Sequence, residues 1–146
     1  MLSAPNSEKM LEHYRAKNGL LGIAVRYALL RSIAENCGDN VVIYANAYLL
    51  SPEKMSFGSN VSVHPMCYLD ATGGLTIGND VSIAHGVTVM TTSHLYTDTQ
   101  VPIKDQGCAA ASVVIEDDVW IGAKASMLMG NRVAKGAIIG ACRGYA

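Results

Sequence analysis

The pattern of apolar and polar positions divides the chain into two textures. Residues 7–35 read as helical: Ser7 stands where an N-cap belongs, Glu8 suits a first turn, and Asn18-Gly19 breaks the run. A second helix carries GLLGIAVRYALLRSIA (19–34) and is expected to reach about Glu35, where Asn36 and Gly38 stop it. From Val41 helical spacing is lost, and valine, isoleucine, glycine, asparagine and aspartate take over.

The second texture counts in sixes. Units that begin on an aliphatic residue read IGNDVS (77–82), IAHGVT (83–88) and VMTTSH (89–94). After a gap come IEDDVW (115–120), IGAKAS (121–126), MLMGNR (127–132), VAKGAI (133–138) and IGACRG (139–144), and FGSNVS (57–62) fits the same frame. A short strand with a tight turn takes about six residues, and GND, GSN and EDD are turn chemistry. Three units close a triangular coil of about eighteen residues, and coils stack at strand spacing of about 4.8 Å. The leading aliphatic residue of each unit then points inward onto its counterparts, which makes a parallel β-solenoid. The count stops at His94, and LYTDTQVPIKDQGCAAASVV (95–114) runs out of phase, as an excursion from the coil does.

Composition narrows the picture. A chain of 146 residues, half of them apolar, favours one domain with a real core. The net charge of −1 speaks against a nucleic-acid surface. Cys37, Cys67, Cys108 and Cys142 form no CxxC pair, so reduced thiols in the cytoplasm are expected rather than a zinc site or a disulfide framework. The start MLSAPNSEKM has no signal-peptide pattern, and the 19–34 run is short and holds Arg26 and Arg31, so it is not expected to span a bilayer. Contact with a membrane surface stays open for that run, beside packing on its own domain or on a neighbouring subunit.

Three stretches, IGNDVSIAHGVTVMTTSH, the PIK at 102–104 and IEDDVWIGAKA, resemble the hexapeptide-repeat acyltransferases, and the likeness covers roughly residues 41–141. Within that family the sugar O-acetyltransferase branch is most similar, which includes galactoside and maltose acetyltransferases and polysaccharide O-acetyltransferases. The resemblance implies a mainly β fold, a left-handed parallel β-helix over 41–146 behind a helical lead-in at 1–40, with an excursion at about 95–112. The left hand comes from the resemblance, since crossover rules favour the right. It also implies a homotrimer, with acetyl-CoA as co-substrate and no metal.

The resemblance assigns His94 as the general base. A sugar hydroxyl is a poor nucleophile until a base takes its proton, and imidazole titrates near the working pH. The Ala123 backbone N–H would face the oxyanion. Trp120, Gly122, Ala123 and Ala141 are carried over as cofactor-binding, although Trp120 also fits ordinary packing at a corner. Asp70, Tyr96 and His85 are acceptor-side candidates, and turn roles remain open for Asp70 and His85. Lys104 and Asp98 read as loop chemistry. Direct transfer is expected, because no Ser or Cys sits in a nucleophile motif.

Other readings stay open. The same fold carries γ-class carbonic anhydrases with paired histidines at i and i+5, but Met90 stands at that spacing from His85, and thioether is a poor zinc ligand. The alternative acceptors are serine or an antibiotic. An inactive scaffold is a third reading, because the chain stops at IGACRGYA, short of the family's usual terminal coil. Arg143 and Asn131 fill slots where small or aliphatic residues are expected, and Met127 and Met129 replace an aliphatic residue and a proline. A shortened end with reduced activity is the expectation.

Overall fold

The computed structural model describes residues 4–145; the first three residues of the expected lead-in and residue 146 lie outside the described residues. Helix α1 spans Ala4–His13 and α2 spans Gly19–Ile33. The first helix starts earlier than the Ser7 cap implied. Pro5 stands in the opening turn, where its missing N–H costs nothing. Ser7 lies inside the helix, 2% exposed, and Glu8 follows the first turn, which has no acidic residue. At the other end α2 stops two residues short of Glu35, and Asn36–Cys37 is already a strand.

From there the chain winds into three five-stranded parallel sheets, the faces of a triangular prism. The first face stacks Asn36–Cys37, Met55–Phe57, Leu75–Ile77, Val113–Ile115 and Arg132–Val133. The second stacks Val41–Ile43, Val61–Val63, Ser82–Ile83, Trp120–Ile121 and Ile138–Ile139. The third stacks Tyr48–Leu50, Tyr68–Asp70, Thr88–Val89, Ser126–Met127 and Gly144–Tyr145. The leading residues of the hexads form the core: Phe57, Ile77, Ile83, Val89, Ile115, Ile121, Met127 and Val133 are each 1% exposed or less. Burial of each such side chain contributes about 1.5–3 kcal/mol. Met127 stacks on Val89 as an aliphatic residue would. Asn131 is half-buried with its amide donating to the Leu128 carbonyl at 2.9 Å, and Arg143 stands exposed.

The coil length departs from the expected eighteen. Register pairs Asn36 with Ser56 and Ser56 with Thr76, so the first coils take 20 residues. Only the last, from Val114 to Arg132, takes 18. The extra residues sit at the third corner, as Ser51–Lys54 and Ala71–Gly74. At that corner of the next coil the chain leaves the prism altogether. The first corner is regular instead: Asn40 donates to Asn60 at 3.0 Å and Asn60 to Asp80 at 2.9 Å, a polar ladder along the edge.

The helices close the open end of the prism. Alternate backbone groups along each coil side face the coil after and the coil before: the Tyr44 N–H donates to Val63 of the next coil, and the Asn60 N–H donates back to Asp39. The first coil has no coil before it, so its groups that face that way need other partners. Arg26, 1% exposed, donates its Nε–H to the Ile43 carbonyl at 2.9 Å, and the Tyr27 hydroxyl donates to the Gly38 carbonyl at 3.1 Å. The Arg26 Nη1 also donates to the carbonyls of Tyr14 at 2.9 Å and Lys17 at 2.7 Å, at the end of α1. Burial lowers the Arg26 pKa, yet the backbone carbonyls, the negative end of a helix among them, give the charge its partners. Gly22 makes room for this knot, because a Cβ there would lie 2.0 Å from the Lys17 carbonyl oxygen. Leu30 from α2 joins the coil core. No helix among the described residues is long and apolar enough to cross a membrane.

Replacing Arg26 with Met keeps the apolar stem and removes the donors. The expected loss is about 3 kcal/mol in urea unfolding, and Gly22→Ala is expected to do comparable harm. Variants as stable as the parent would show that the coil end needs no such closure.

Candidate active site

At the third corner of the middle coil the chain departs after Thr91. Thr92–His94 pairs antiparallel with Cys108–Ala110, so the expected loop is in part a two-stranded arm. His94 is the last residue of the outgoing strand and lies opposite Cys108 in register, with its Nδ1 3.6 Å from the Cys108 Sγ. The His94 ring is exposed. Beyond it Leu95, Tyr96, Val101 and Ile103 present apolar surface, Tyr96 at 71% exposure. The tip is held by Gln106, whose Nε2 donates to the carbonyls of Asp98 and Val101 at 2.8 Å each. Lys104 pairs with Asp105, and Asp98 accepts from the Gln100 N–H, so both have the local roles expected of them.

Asp70 fastens the root of the arm. It is 4% exposed on the coil below. Its Oδ1 accepts from the Thr72 N–H at 2.8 Å and hydroxyl at 2.6 Å. Its Oδ2 accepts from the Thr92 hydroxyl at 3.2 Å and the Thr91 N–H at 3.4 Å. Burial pushes its carboxyl up, but the hydrogen bonds from Thr72, Thr92 and Thr91 outweigh that and hold it below the usual carboxylate range. Asp70 acts on the strand that ends in His94, two residues before the ring, and not on the ring itself.

The other candidates lie at the second corner. Left-handed residues Asn46, Met66, Gly86, Lys124 and Cys142 mark that turn in successive coils. The residues just before them stack as Ala45, Pro65, His85, Ala123 and Ala141, which puts three candidates on one strip. The Ala123 carbonyl accepts from the Cys142 N–H at 2.8 Å, and the His85 carbonyl from the Lys124 N–H at 3.0 Å. Among the described residues the Ala123 N–H has no backbone partner, as an oxyanion donor requires. Gly122 is buried, and a Cβ there would fall 2.6 Å from the Ala141 nitrogen, so glycine is what lets these two coils stack. Trp120 lies on the adjoining face, 52% exposed, with Ile138 beside it in register at 69%. Packing into its own core is therefore not what holds this tryptophan.

One chain keeps these two groups apart. A coil side of six residues at strand rise is roughly 15–20 Å long, and it separates the strip of Ala123 from the corner of His94. The histidines divide the same way: His64 stacks on Tyr44 at 4.9 Å near the second corner, on the coil before His85. Among the described residues no group of three or more His, Cys, Asp or Glu could hold a metal ion.

Known proteins place this architecture. A hexapeptide-repeat acetyltransferase of Vibrio cholerae, solved in complex with acetyl-CoA, superposes with a TM-score of 0.82 at 22% identity, covering 98% of this chain and 76% of that one. The fold is that of the hexapeptide-repeat acetyltransferases. A maltose O-acetyltransferase of Clostridium difficile superposes with a TM-score of 0.83 at 20% identity, covering 98% of this chain and 75% of its own. In sequence, a probable acetyltransferase of Mycobacterium tuberculosis is 36% identical over 62 residues, which is 42% of this chain and 21% of the relative's length. No family model matches the chain.

The pull on Asp70 sets a pH dependence. Its folded pKa lies below its unfolded one, so it contributes stability that is complete at neutral pH. That contribution is lost as pH falls from the ordinary carboxylate range, about 4, through the folded value. Asp70→Asn should flatten that part of the acid-unfolding curve and cost about 1–2 kcal/mol at pH 7. An unchanged acid profile would mean that the threonine contacts do not stabilise the carboxylate.

Proposed function

We propose that the protein is an acetyl-CoA-dependent O-acetyltransferase acting on a hydroxyl of a sugar or glycan precursor, working as a homotrimer in the cytoplasm. The observation that carries this reading is His94 at the end of the outgoing strand of an arm that leaves a hexapeptide-repeat coil, on a fold whose solved relative holds acetyl-CoA. The sugar acceptor rests on the maltose O-acetyltransferase that shares the fold and on the sequence resemblance.

The chemistry follows from the two corners. His94 takes the proton of the acceptor hydroxyl through Nε2 as the oxygen attacks the thioester carbonyl. The tetrahedral oxyanion meets the unpaired Ala123 N–H. Collapse breaks the C–S bond, and the CoA thiolate recovers the proton from the imidazolium. Gly122, Ala123 and Ala141 lie along the strip that would receive the thioester arm, and Trp120 stands on the face beside it. Asp70 holds the arm's root, and Tyr96 and His85 stand where an acceptor could reach them.

Assembly supports the same reading. His94 and Ala123 belong to different corners, so a site that uses both needs two chains, one giving each corner. The apolar side chains of the arm and the exposed Trp120–Ile138 pair supply surface for such a contact.

Three measurements test the proposal. Release of CoA, followed over sugars, nucleotide sugars, serine and streptogramin-type antibiotics, should single out a sugar hydroxyl; release only with serine or an antibiotic would move the acceptor class. His94→Ala should cost about 10²–10⁴-fold in turnover with the fold intact. Ala123→Pro removes only the N–H, because Pro65 already occupies the same corner position two coils earlier. It should be inactive alone, and co-assembly with His94→Ala chains should restore part of the activity. Failure of that rescue, with both variants folded and co-assembled, would place base and donor in one chain.

A further inference from the structure

We infer that Cys108 is a positioning residue for His94: its sulfur accepts the Nδ1–H hydrogen and thereby leaves Nε2 free to take a proton. The inference rests on the proposed role of His94 as base and adds a residue which that role does not itself require.

Backbone register makes the pairing. His94 and Cys108 are direct cross-strand partners in the Thr92–His94 and Cys108–Ala110 pair, so both side chains rise from the same face of the arm. The Sγ–Nδ1 separation of 3.6 Å is within reach of a sulfur hydrogen bond. Among the described residues Cys108 is the only side chain in hydrogen-bonding contact with the His94 ring. The charged groups of the arm are engaged elsewhere, Lys104 with Asp105 and Asp98 with the Gln100 N–H, and Asp70 is taken up by its threonines.

Two arrangements are open to the pair, and the role of His94 as base requires one of them. A neutral imidazole carries one hydrogen, and which nitrogen holds it is set by the partner of the other. If Nδ1 donates to sulfur, Nε2 keeps its lone pair and faces solvent and the acceptor. When Nε2 takes a proton, the Nδ1–H becomes more acidic and its contact with the polarisable sulfur strengthens, which steadies the imidazolium. If instead the thiol donated to Nδ1, the hydrogen would sit on Nε2 and the ring could not serve as base from that side. The remaining cysteines have no such partner. Burial raises the thiol pKa of both Cys37 and Cys67, and Cys142 lies at the second corner.

The test reads the hydrogen directly. Nitrogen-15 NMR of the whole protein at a pH where His94 is neutral, with its ring assigned by comparison with His94→Gln, should show the hydrogen on Nδ1. Cys108→Ala should shift His94 toward the tautomer mixture of an unpartnered imidazole, and Cys108→Ser, which keeps an acceptor on the same Cβ, should restore much of the parent state. With a working acceptor, Cys108→Ala should lower kcat about tenfold at unchanged KM for acetyl-CoA, with partial recovery in Cys108→Ser. A wild-type ring protonated on Nε2, or one indifferent to Cys108→Ala, overturns the inference. A tautomer that changes while kcat does not would keep the contact and refute His94 as the base.

Discussion

Every strand in this prism makes its hydrogen bonds to the coil above or below, and never within its own coil. That single constraint fixes the register of the whole molecule and leaves each end with a row of unpaired groups. At the N-terminal end the protein meets it with side chains. The Arg26 guanidinium takes the Ile43 carbonyl, and the Tyr27 hydroxyl takes the Gly38 carbonyl. Arg31 then donates to the Tyr27 oxygen and to Asp39, each at 3.0 Å. One face of a helix thus does the work of the missing coil, and the same arginine ties the end of α1 into place.

The same constraint explains where chemistry can be added. All three faces and two of the corners are locked by stacking, since an inserted residue there would shift every ladder above it. The third corner already absorbs two extra residues in the first coils, so a longer insertion at that corner costs the coil little. The arm uses this tolerance, and Asp70 limits its freedom by gripping Thr91 and Thr92 from the coil below. His94 therefore stands on an excursion whose root is tied to the prism by the Asp70 carboxylate.

Much of this was legible in the sequence, for a definite reason. The hexad phase depends on the inward residues at the first and fifth places of each unit, such as Ile77 with Val81 and Ile115 with Val119, and these show in the sequence as apolar ones. Even Met127 keeps the phase. The start of α1 was misread because Ser7 looks like a cap, whereas the helix begins at Ala4 and Ser7 is buried within it. The 20-residue coils were missed because the surplus sits in SPEK and DATGG, where turn residues carry no phase. Arg26 was visible as a charge in an apolar run, but its partners are backbone carbonyls, which leave no trace in side-chain identity. The contact of Cys108 with His94 was hidden for a related reason: fourteen residues separate them, and only the pairing of the arm brings them together.

The corners carry a further distinction. At the first corner the left-handed positions are Asn40, Asn60, Asp80, Asp118 and Gly136, residue types that visit this conformation readily. At the second corner they are Asn46, Met66, Gly86, Lys124 and Cys142. Met, Lys and Cys gain nothing locally from a left-handed backbone, which costs them roughly 1–2 kcal/mol each. The coil above and below overdetermines these turns, as hydrogen bonds from the Gly86 N–H to Pro65 and from the Cys142 N–H to Ala123 show. Backbone strain of this kind persists only where the surrounding structure overdetermines it. Here it lies beside the Ala123 N–H, on the strip that also holds His85 and Ala141. Ladder hydrogen bonds of the same kind close the first corner, as from the Asn60 N–H to Asp39 and from the Asp118 N–H to Asn79, so the two corners differ in residue type: only the second asks a left-handed backbone of Met, Lys and Cys.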